Sequence, residues 1–289
     1  MNGVLLINKE KGYTSRDVVN KVSKILGIKQ IGHTGTLDPM ATGVLVLCVG
    51  EATKLNEILT ANYKEYEAEI TLGVLTDTLD VTGTILKEEC VNFSLEQILE
   101  ALKCIKGKYI QETPIYSAVK VNGKKLYEYA RNNEEVTLPK REVDIKEIEL
   151  ISDIKRIDDK VIFSIKCLVS KGTYIRTLAY DIAKILGTVG VMSKLNRTKQ
   201  GRFGINACVT LDDIANGNYQ LITIEDALID YKKVQVDTYL EERIRNGSIL
   251  QNRYGCPVLF VNSQNKALAL YQPYDKDNTK IKPWKMFVN

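Results

Sequence analysis

The stretch Gly32-His33-Thr34-Gly35-Thr36-Leu37-Asp38-Pro39-Met40-Ala41-Thr42-Gly43 gathers the residue types that chemistry needs. A single carboxylate, Asp38, stands among three glycines, a proline and three threonines. Glycine lets backbone approach a ligand closely, and Pro39 biases Asp38 toward an extended conformation. An aspartate held in this way can act as a nucleophile. The same Asp-Pro pair also suits plain turn initiation. A second stretch, Ser170-Lys171-Gly172-Thr173-Tyr174-Ile175-Arg176-Thr177-Leu178, lies where a strand pattern passes into a helix pattern. Arg176 falls in the first helical turn, where the dipole favours an anion. A cation kept there can hold a catalytic carboxylate ionised and aimed. A surface arginine is the plain alternative.

Other chemistries find less support. There is no GxGxxG or GxxxxGK[ST] pattern, which argues against dinucleotide and P-loop binding. Ser117-Ala118-Val119-Lys120 fits a bare SxxK pattern, but the companion SDN and KTG motifs are missing. Asp77 to Gly83 resembles a calcium loop only loosely, because its ligand spacing fails. His33 is the one histidine, and the six cysteines form no CxxC pair, so no metal site is expected. Most cysteines sit in apolar runs, which reads as buried free thiols in a reducing compartment.

The positioning elements follow from periodicity. Val4 to Ile7 reads as a short buried strand, and Ser15 to Leu26 as a helix capped by Thr14 or Ser15 and stopped by Gly27. The Asp38 loop then leads into an apolar strand, Val44 to Val49. Tyr66, Ala68, Ile70 and Leu72 alternate with Glu65, Glu67, Glu69 and Thr71, so a half-buried strand faces Tyr66 inward. Ser94 caps a helix through Leu102, Val143 to Leu150 and Val161 to Val169 read as long strands, and a helix spans about 173–186. Thr210 opens a short helix. After about residue 232 the texture changes to a short helix, Thr238 to Arg245, and short strands Val258 to Phe260 and Ala267 to Tyr271. This places domains at 1–232 and 233–289. The order is mixed rather than regularly alternating, which predicts an α+β fold.

The chain has 289 residues, 44% apolar and 26% charged, which is ordinary for a globular protein able to build a sizeable core. Its net charge of +4 is too mild to indicate nucleic-acid binding by itself. Lys120, Lys124, Lys125, Arg131, Lys140 and Arg141 are grouped, as are Lys194, Arg197, Lys199 and Arg202, and such groups can form phosphate-binding faces or simply solvated surfaces. No signal peptide and no apolar run long enough to span a bilayer is found, so a cytoplasmic location is expected, with no membrane partner. No apolar heptad or interface stripe stands out, which predicts a monomer.

Taken together, these segments resemble the bacterial tRNA pseudouridine-55 synthases, the TruB family. Gly32 through Leu45 is similar to the family's catalytic signature almost letter for letter. Gly3-Val4-Leu5-Leu6-Ile7-Asn8-Lys9 with Gly12-Tyr13-Thr14-Ser15 also fits, as do Lys64-Glu65-Tyr66 and Thr76-Asp77-Thr78-Leu79-Asp80. Tyr116-Ser117-Ala118-Val119-Lys120, Gly123-Lys124, Lys171-Gly172-Thr173-Tyr174-Ile175-Arg176 and Leu195-Asn196-Arg197-Thr198 complete the match over about residues 3–215. Two departures stand out: Lys9-Glu10 where the family usually has Lys-Pro, and Thr113-Pro114 where it has paired prolines. Both affect turns.

The resemblance implies a pseudouridine-synthase fold, a mixed and largely antiparallel sheet flanked by helices, with a small C-terminal PUA-like RNA-binding appendage. It implies cofactor-free isomerisation of the T-loop uridine at position 55 of elongator tRNA. Asp38 would be the nucleophile, Tyr66 would stack on the base and take part in proton removal, and Arg176 would pair with Asp38. Tyr174 and Leu195 would line the uracil pocket, His33 would hold the loop with its base flipped out, and Lys64 and Asp80 would complete the substrate-binding set. The partner would be the T stem-loop of tRNA. A guide-RNA-dependent synthase of the archaeal or eukaryotic type shares the Asp loop, but the short tail here favours the stand-alone form. A tRNA-folding role fits as a second activity but not as a replacement for catalysis, because Asp38, Tyr66 and Arg176 are all retained.

Overall fold

The computed structural model describes residues 1–287. The chain runs β1 (Gly3–Lys9), α1 (Ser15–Leu26), β2 (Ile31–His33), β3 (Thr42–Val49), β4 (Tyr63–Leu72), β5 (Val74–Thr76), β6 (Ile85–Glu88), α2 (Leu95–Ile105) and β7 (Gly107–Glu112). It continues through β8 (Lys120–Val121), β9 (Lys124–Lys125), α3 (Leu126–Arg131), β10 (Lys140–Leu150), β11 (Lys155–Ile157), β12 (Lys160–Ser170), α4 (Ile175–Ile185), β13 (Gly190–Gln200) and β14 (Phe203–Gly204). It closes with α5 (Leu211–Ala215), α6 (Ile224–Ala227), β15 (Lys232–Gln235), α7 (Thr238–Arg245), β16 (Leu250–Gln251), β17 (Val258–Val261), β18 (Ala267–Tyr274) and β19 (Asp277–Met286). This is an α+β fold with mixed sheets. The expected elements are all present, and several strands extend further than their apolar cores suggested.

Contacts divide the chain into two compact units that do not follow chain order: residues 1–39, 45–60 and 206–289, and residues 40–44 with 61–205. The second unit is built on the antiparallel order β13-β4-β12-β10-β7. Strand β4 is bonded along both edges, to β12 from Tyr63 to Leu72 and to β13 from Lys64 to Leu72. Its burial alternates strictly, with Lys64, Tyr66, Ala68, Ile70 and Leu72 buried, as the sequence pattern requires of a one-sided strand. Helices α2 and α4 pack on each other and on this sheet through Ile98, Ala101, Leu102, Leu178, Ala179 and Ile182. The capping box at Ser94, completed by Gln97, satisfies the first amides of α2.

The first unit has its own order. Helix α1 begins at a Thr14–Asp17 capping box and ends at Gly27 in the left-handed region, φ 66°. Strand β1 bridges to Ile222 from Val4 and to Val209 from Ile7. A second sheet, β15-β17-β18-β19-β16, closes over Ile244, Val258, Phe260, Leu268, Tyr271 and Ile281, with Phe260 and Tyr271 meeting edge to face at 5.2 Å. The texture change near residue 232 therefore coincides with the first strand of this sheet.

The expectation of buried thiols holds for Cys48 and Cys167, whose burial pushes them up to about 12. Cys90, Cys104 and Cys256 are exposed, and no described cysteine is disulfide-bonded. Cys104 stands on the exposed face of α2, and Cys90 and Cys256 lie outside the regular elements, where an apolar neighbour in sequence does not mean burial.

Strand β3 carries the chain from one unit to the other, and its first residues pair parallel with β13, Thr42 with Asn196 and Gly43 with Arg197. Gly43 has φ 100°, and a Cβ there would lie 2.3 Å from the Arg197 carbonyl oxygen. Gly12 shares the conformation, φ 97°, but a Cβ there would meet nothing within 4 Å. Gly12→Ala should therefore lose only the conformational cost, about 1–2 kcal/mol. Gly43→Ala should lose at least about 2 kcal/mol more through strand displacement. Urea unfolding of both variants checks the difference; equal losses would mean that close approach is not what requires glycine at position 43.

Candidate active site

Asp38 lies in the first unit, half-exposed in the loop after β2, and its neighbours on both sides are held through their backbone. Ser15, the first residue of α1, is buried. Its Oγ accepts the Leu37 N–H at 2.8 Å and donates to the Leu37 carbonyl at 3.2 Å. On the other flank, the Pro39 carbonyl accepts the Gly12 N–H at 2.8 Å and Lys9 Nζ at 3.3 Å. Lys9 is fully buried and also donates to the carbonyls of Tyr13 at 2.6 Å and Glu10 at 2.9 Å. Three backbone oxygens thus receive the three donors of one lysine. His33 ends β2 opposite Leu47 and is half-buried. In this unit the loop carrying Asp38 is thus tied to the β1–α1 connection, so the opening Lys9 and Ser15 matter to the loop far along the sequence.

The second unit brings together most of the remaining residues. Tyr66 and Ala68 face the same side of β4, opposite Arg197 and Leu195 of β13. Directly paired residues share a face, so Tyr66 and Leu195 are diagonal neighbours on one buried surface. Arg197 is 0% exposed and its Nε donates to the Val44 carbonyl at 2.7 Å. This corrects the grouping of Lys194, Arg197, Lys199 and Arg202 as a single basic face. Only Lys194, Lys199 and Arg202 are exposed, because the strand alternation turns Arg197 inward. Lys64 is also buried. That burial, with Arg197 and Lys171 beside it, pulls its ammonium down to about 8.

Arg176 lies in the first turn of α4 as expected, and it is 6% exposed. It donates through Nη1 to the Thr78 carbonyl at 3.0 Å and through Nη2 to the Tyr116 carbonyl at 2.9 Å. Its Nε stands 3.9 Å from Asp80 Oδ2. The two Thr78–Asp80 acceptors are presented by a turn in which Leu79 has φ 61°, a left-handed conformation that costs a leucine about 1–3 kcal/mol. Asp80 Oδ1 accepts the Thr82 N–H and the Thr78 hydroxyl, both at 2.9 Å. The segment that loosely resembled a calcium loop is therefore an internally bonded turn, and among the described residues no acid, His or Cys cluster suits a metal.

Tyr174 is the N-cap of α4, half-buried, with the Arg141 guanidinium 5.6 Å from its ring centre. Its backbone is held by Gln111 of β7. Sequence reading passed over Gln111, and read Ser15 only as a cap and Lys9 only as part of the opening motif, since each serves backbone groups remote in sequence. The β8–β9 hairpin and α3 set cations over aromatic rings: Lys124 lies 4.6 Å from the Tyr129 ring centre, and Lys125 and Arg131 both lie 5.3 Å from that of Tyr127.

Comparison with known proteins gives the family. The model of the TruB family pseudouridylate synthase N-terminal domain matches residues 23–175, and that of the tRNA pseudouridylate synthase B C-terminal domain matches residues 176–246. The chain belongs to the TruB family of pseudouridylate synthases. It is 43% identical to tRNA pseudouridine synthase B of Staphylococcus saprophyticus, over 99% of each chain. It is also 43% identical to that of Geobacillus thermodenitrificans, over 99% of this chain and 100% of the relative. Its fold is like that of a chain in the crystal structure of a Cbf5-Nop10-Gar1 complex, with TM-score 0.72 and 24% identity over 99% of this chain and 85% of that one.

Ser15→Ala removes both contacts to Leu37 and leaves a buried amide without its acceptor. The expected loss is about 1–3 kcal/mol in urea unfolding, with faster hydrogen exchange confined to the Asp38 loop. An unchanged exchange rate at Leu37 would show that Ser15 does not hold the loop.

Proposed function

We propose that this protein isomerises the T-loop uridine of elongator tRNA, position 55, to pseudouridine, acting alone and without cofactor or guide RNA. The observation that carries the reading is the Asp38 loop, with a half-exposed carboxylate whose flanking residues are both tied down through their backbone. Near-full-length identity to relatives named tRNA pseudouridine synthase B supports the choice of tRNA. The reaction breaks the bond from C1′ to N1 of uracil and makes one from C1′ to C5. C5 loses its proton and N1 gains one, so nothing is oxidised and no group is transferred elsewhere.

Each residue then has a task. Asp38 is the nucleophile that starts cleavage. The target base leaves its stack, and the ring of Tyr66 replaces that stacking, worth about 1–3 kcal/mol. Tyr66 also takes part in removing the C5 proton. Tyr174 and Leu195 line the uracil pocket, whose apolar walls keep the detached base from escaping to water. Arg176 supplies positive charge for the reaction, and Asp80, 3.9 Å from its Nε, keeps its guanidinium oriented. His33 holds the flipped-out loop. The cation–aromatic cluster around Tyr127 and Tyr129, with Lys64, attracts the backbone phosphates. The domain from about residue 233 grips the rest of the tRNA, as a PUA-like appendage would. The enzyme works as a cytoplasmic monomer, and a tRNA-folding activity accompanies catalysis.

Two measurements test this. A tRNA transcript tritiated at uridine C5 should release about one tritium per molecule, the T-loop uridine being the one converted. Asp38→Ala should abolish release while tRNA affinity stays within a few-fold. A variant that still turns over would remove Asp38 as nucleophile, and one that no longer binds would assign the loop to binding. Lys64 supplies the pH test. It is charged below about 8 and neutral above, so its contribution to tRNA affinity is present below that pH and lost as pH rises through it. Affinity should weaken between about pH 7 and 9, and Lys64→Met should flatten that change. An equal slope in both proteins would assign the titration to another group.

A further inference from the structure

Gln111 has no exposure to solvent, and a buried primary amide must place two donors and an acceptor or bear their desolvation. It places all of them. Its Oε1 accepts the Tyr174 N–H at 2.8 Å, and its Nε2 donates to the Tyr174 carbonyl at 3.2 Å. Nε2 also donates to the Tyr109 hydroxyl at 2.7 Å, and that hydroxyl donates to Asp181 Oδ2 at 3.2 Å. The direction of this chain is forced. The Asp181 carboxylate only accepts, so Tyr109 gives its one hydrogen to it and offers Gln111 a lone pair. The amide must then turn its nitrogen toward Tyr109, which points its oxygen at the Tyr174 N–H.

One side chain binding both the N–H and the carbonyl of a single residue reproduces the double contact of a hydrogen-bonded pair in an antiparallel ladder. It holds Tyr174 at φ −98°, ψ 116°, at the N-cap of a helix with no side-chain cap of its own. That residue sets the direction of its own ring and the start of the turn that carries Arg176. Asp181 lies further along the same helix, so the chain returns to α4 and closes a loop between β7 and the helix start.

We infer that Gln111 is a positioning residue for uridine isomerisation: the chain Asp181–Tyr109–Gln111 locks the Tyr174 backbone, and through it the Tyr174 ring in the uracil pocket and Arg176 beside Asp80. The inference rests on the isomerase reading for its catalytic part and on geometry alone for the clamp. A merely structural Gln111 would tie β7 to α4 without affecting the reaction, and the two roles separate in measurement.

Gln111→Met keeps the length of the side chain and removes its hydrogen bonds. Tyr109→Phe keeps the ring and both Gln111–Tyr174 bonds, and removes the hydroxyl's two hydrogen bonds, to Gln111 and to Asp181. In the full-length protein, hydrogen exchange at the Tyr174 and Ile175 amides should quicken in Gln111→Met while β4 and β13 keep their protection. The single-turnover rate of tritium release from C5-labelled tRNA should fall on the order of 10- to 100-fold, with the Kd for tRNA within a few-fold. Tyr109→Phe should move both readouts in the same direction by less, and it decides the matter if Gln111→Met does not fold. Unchanged exchange at Tyr174 would overturn the clamp. Quickened exchange with a wild-type rate, or rate and affinity falling in parallel, would overturn the positioning role. A wild-type protein that releases no tritium would overturn the isomerase reading, while the exchange measurement would still test the clamp.

Discussion

Strand β4 has hydrogen-bonded neighbours on both edges, and that constraint governs the second unit. A strand paired on both sides cannot slip by one residue without turning every buried side chain to the other face. Here a slip would bring out Tyr66, Ala68, Ile70 and Leu72 and bury four polar residues, three of them glutamates, in their place. The placement of Tyr66 beside Leu195 and Arg197 is therefore not a local choice. It is enforced by two ladders and by the cost of burying unpaired carboxylates.

Outside the regular strands, the candidate functional segments are irregular backbone held by buried polar side chains. Lys9 and Ser15 hold the flanks of Asp38, Gln111 holds Tyr174, Arg176 holds the Thr78 and Tyr116 carbonyls, and Arg197 holds Val44. The physical logic is the same at each point. A loop cannot satisfy its own amides and carbonyls as a helix or strand does, and a buried one must borrow partners. Each borrowed partner also fixes the loop's conformation. The left-handed Leu79 shows how much constraint such a network bears, since an unfavourable backbone state persists only where its surroundings determine it.

Much of this was legible in the sequence. The period-two pattern of β4, the Thr14 and Ser94 caps and the stop at Gly27 are local, and local rules are enough to read them. The Asp38 loop and the strand-to-helix turn at Arg176 were legible as candidate chemistry, and the family resemblance rests on their residues. Ser15 was read as one of two caps; the structure gives capping to Thr14 and turns the Ser15 hydroxyl to Leu37. Arg197 was read with its basic neighbours, and the alternation of β13 separates them.

What the sequence by itself determined, then, is the set of elements and the inward face of each, and it singled out a few candidate residues for chemistry. Only the tertiary structure decided which buried polar side chain serves which remote backbone group: Lys9 with Pro39, Gln111 with Tyr174, Arg176 with Thr78. Periodicity and capping act over a few residues, whereas these pairings join residues 30 to 98 positions apart. Nothing in the spacing of two such residues encodes their contact, because it comes into being only when the strands between them take their register and the core closes.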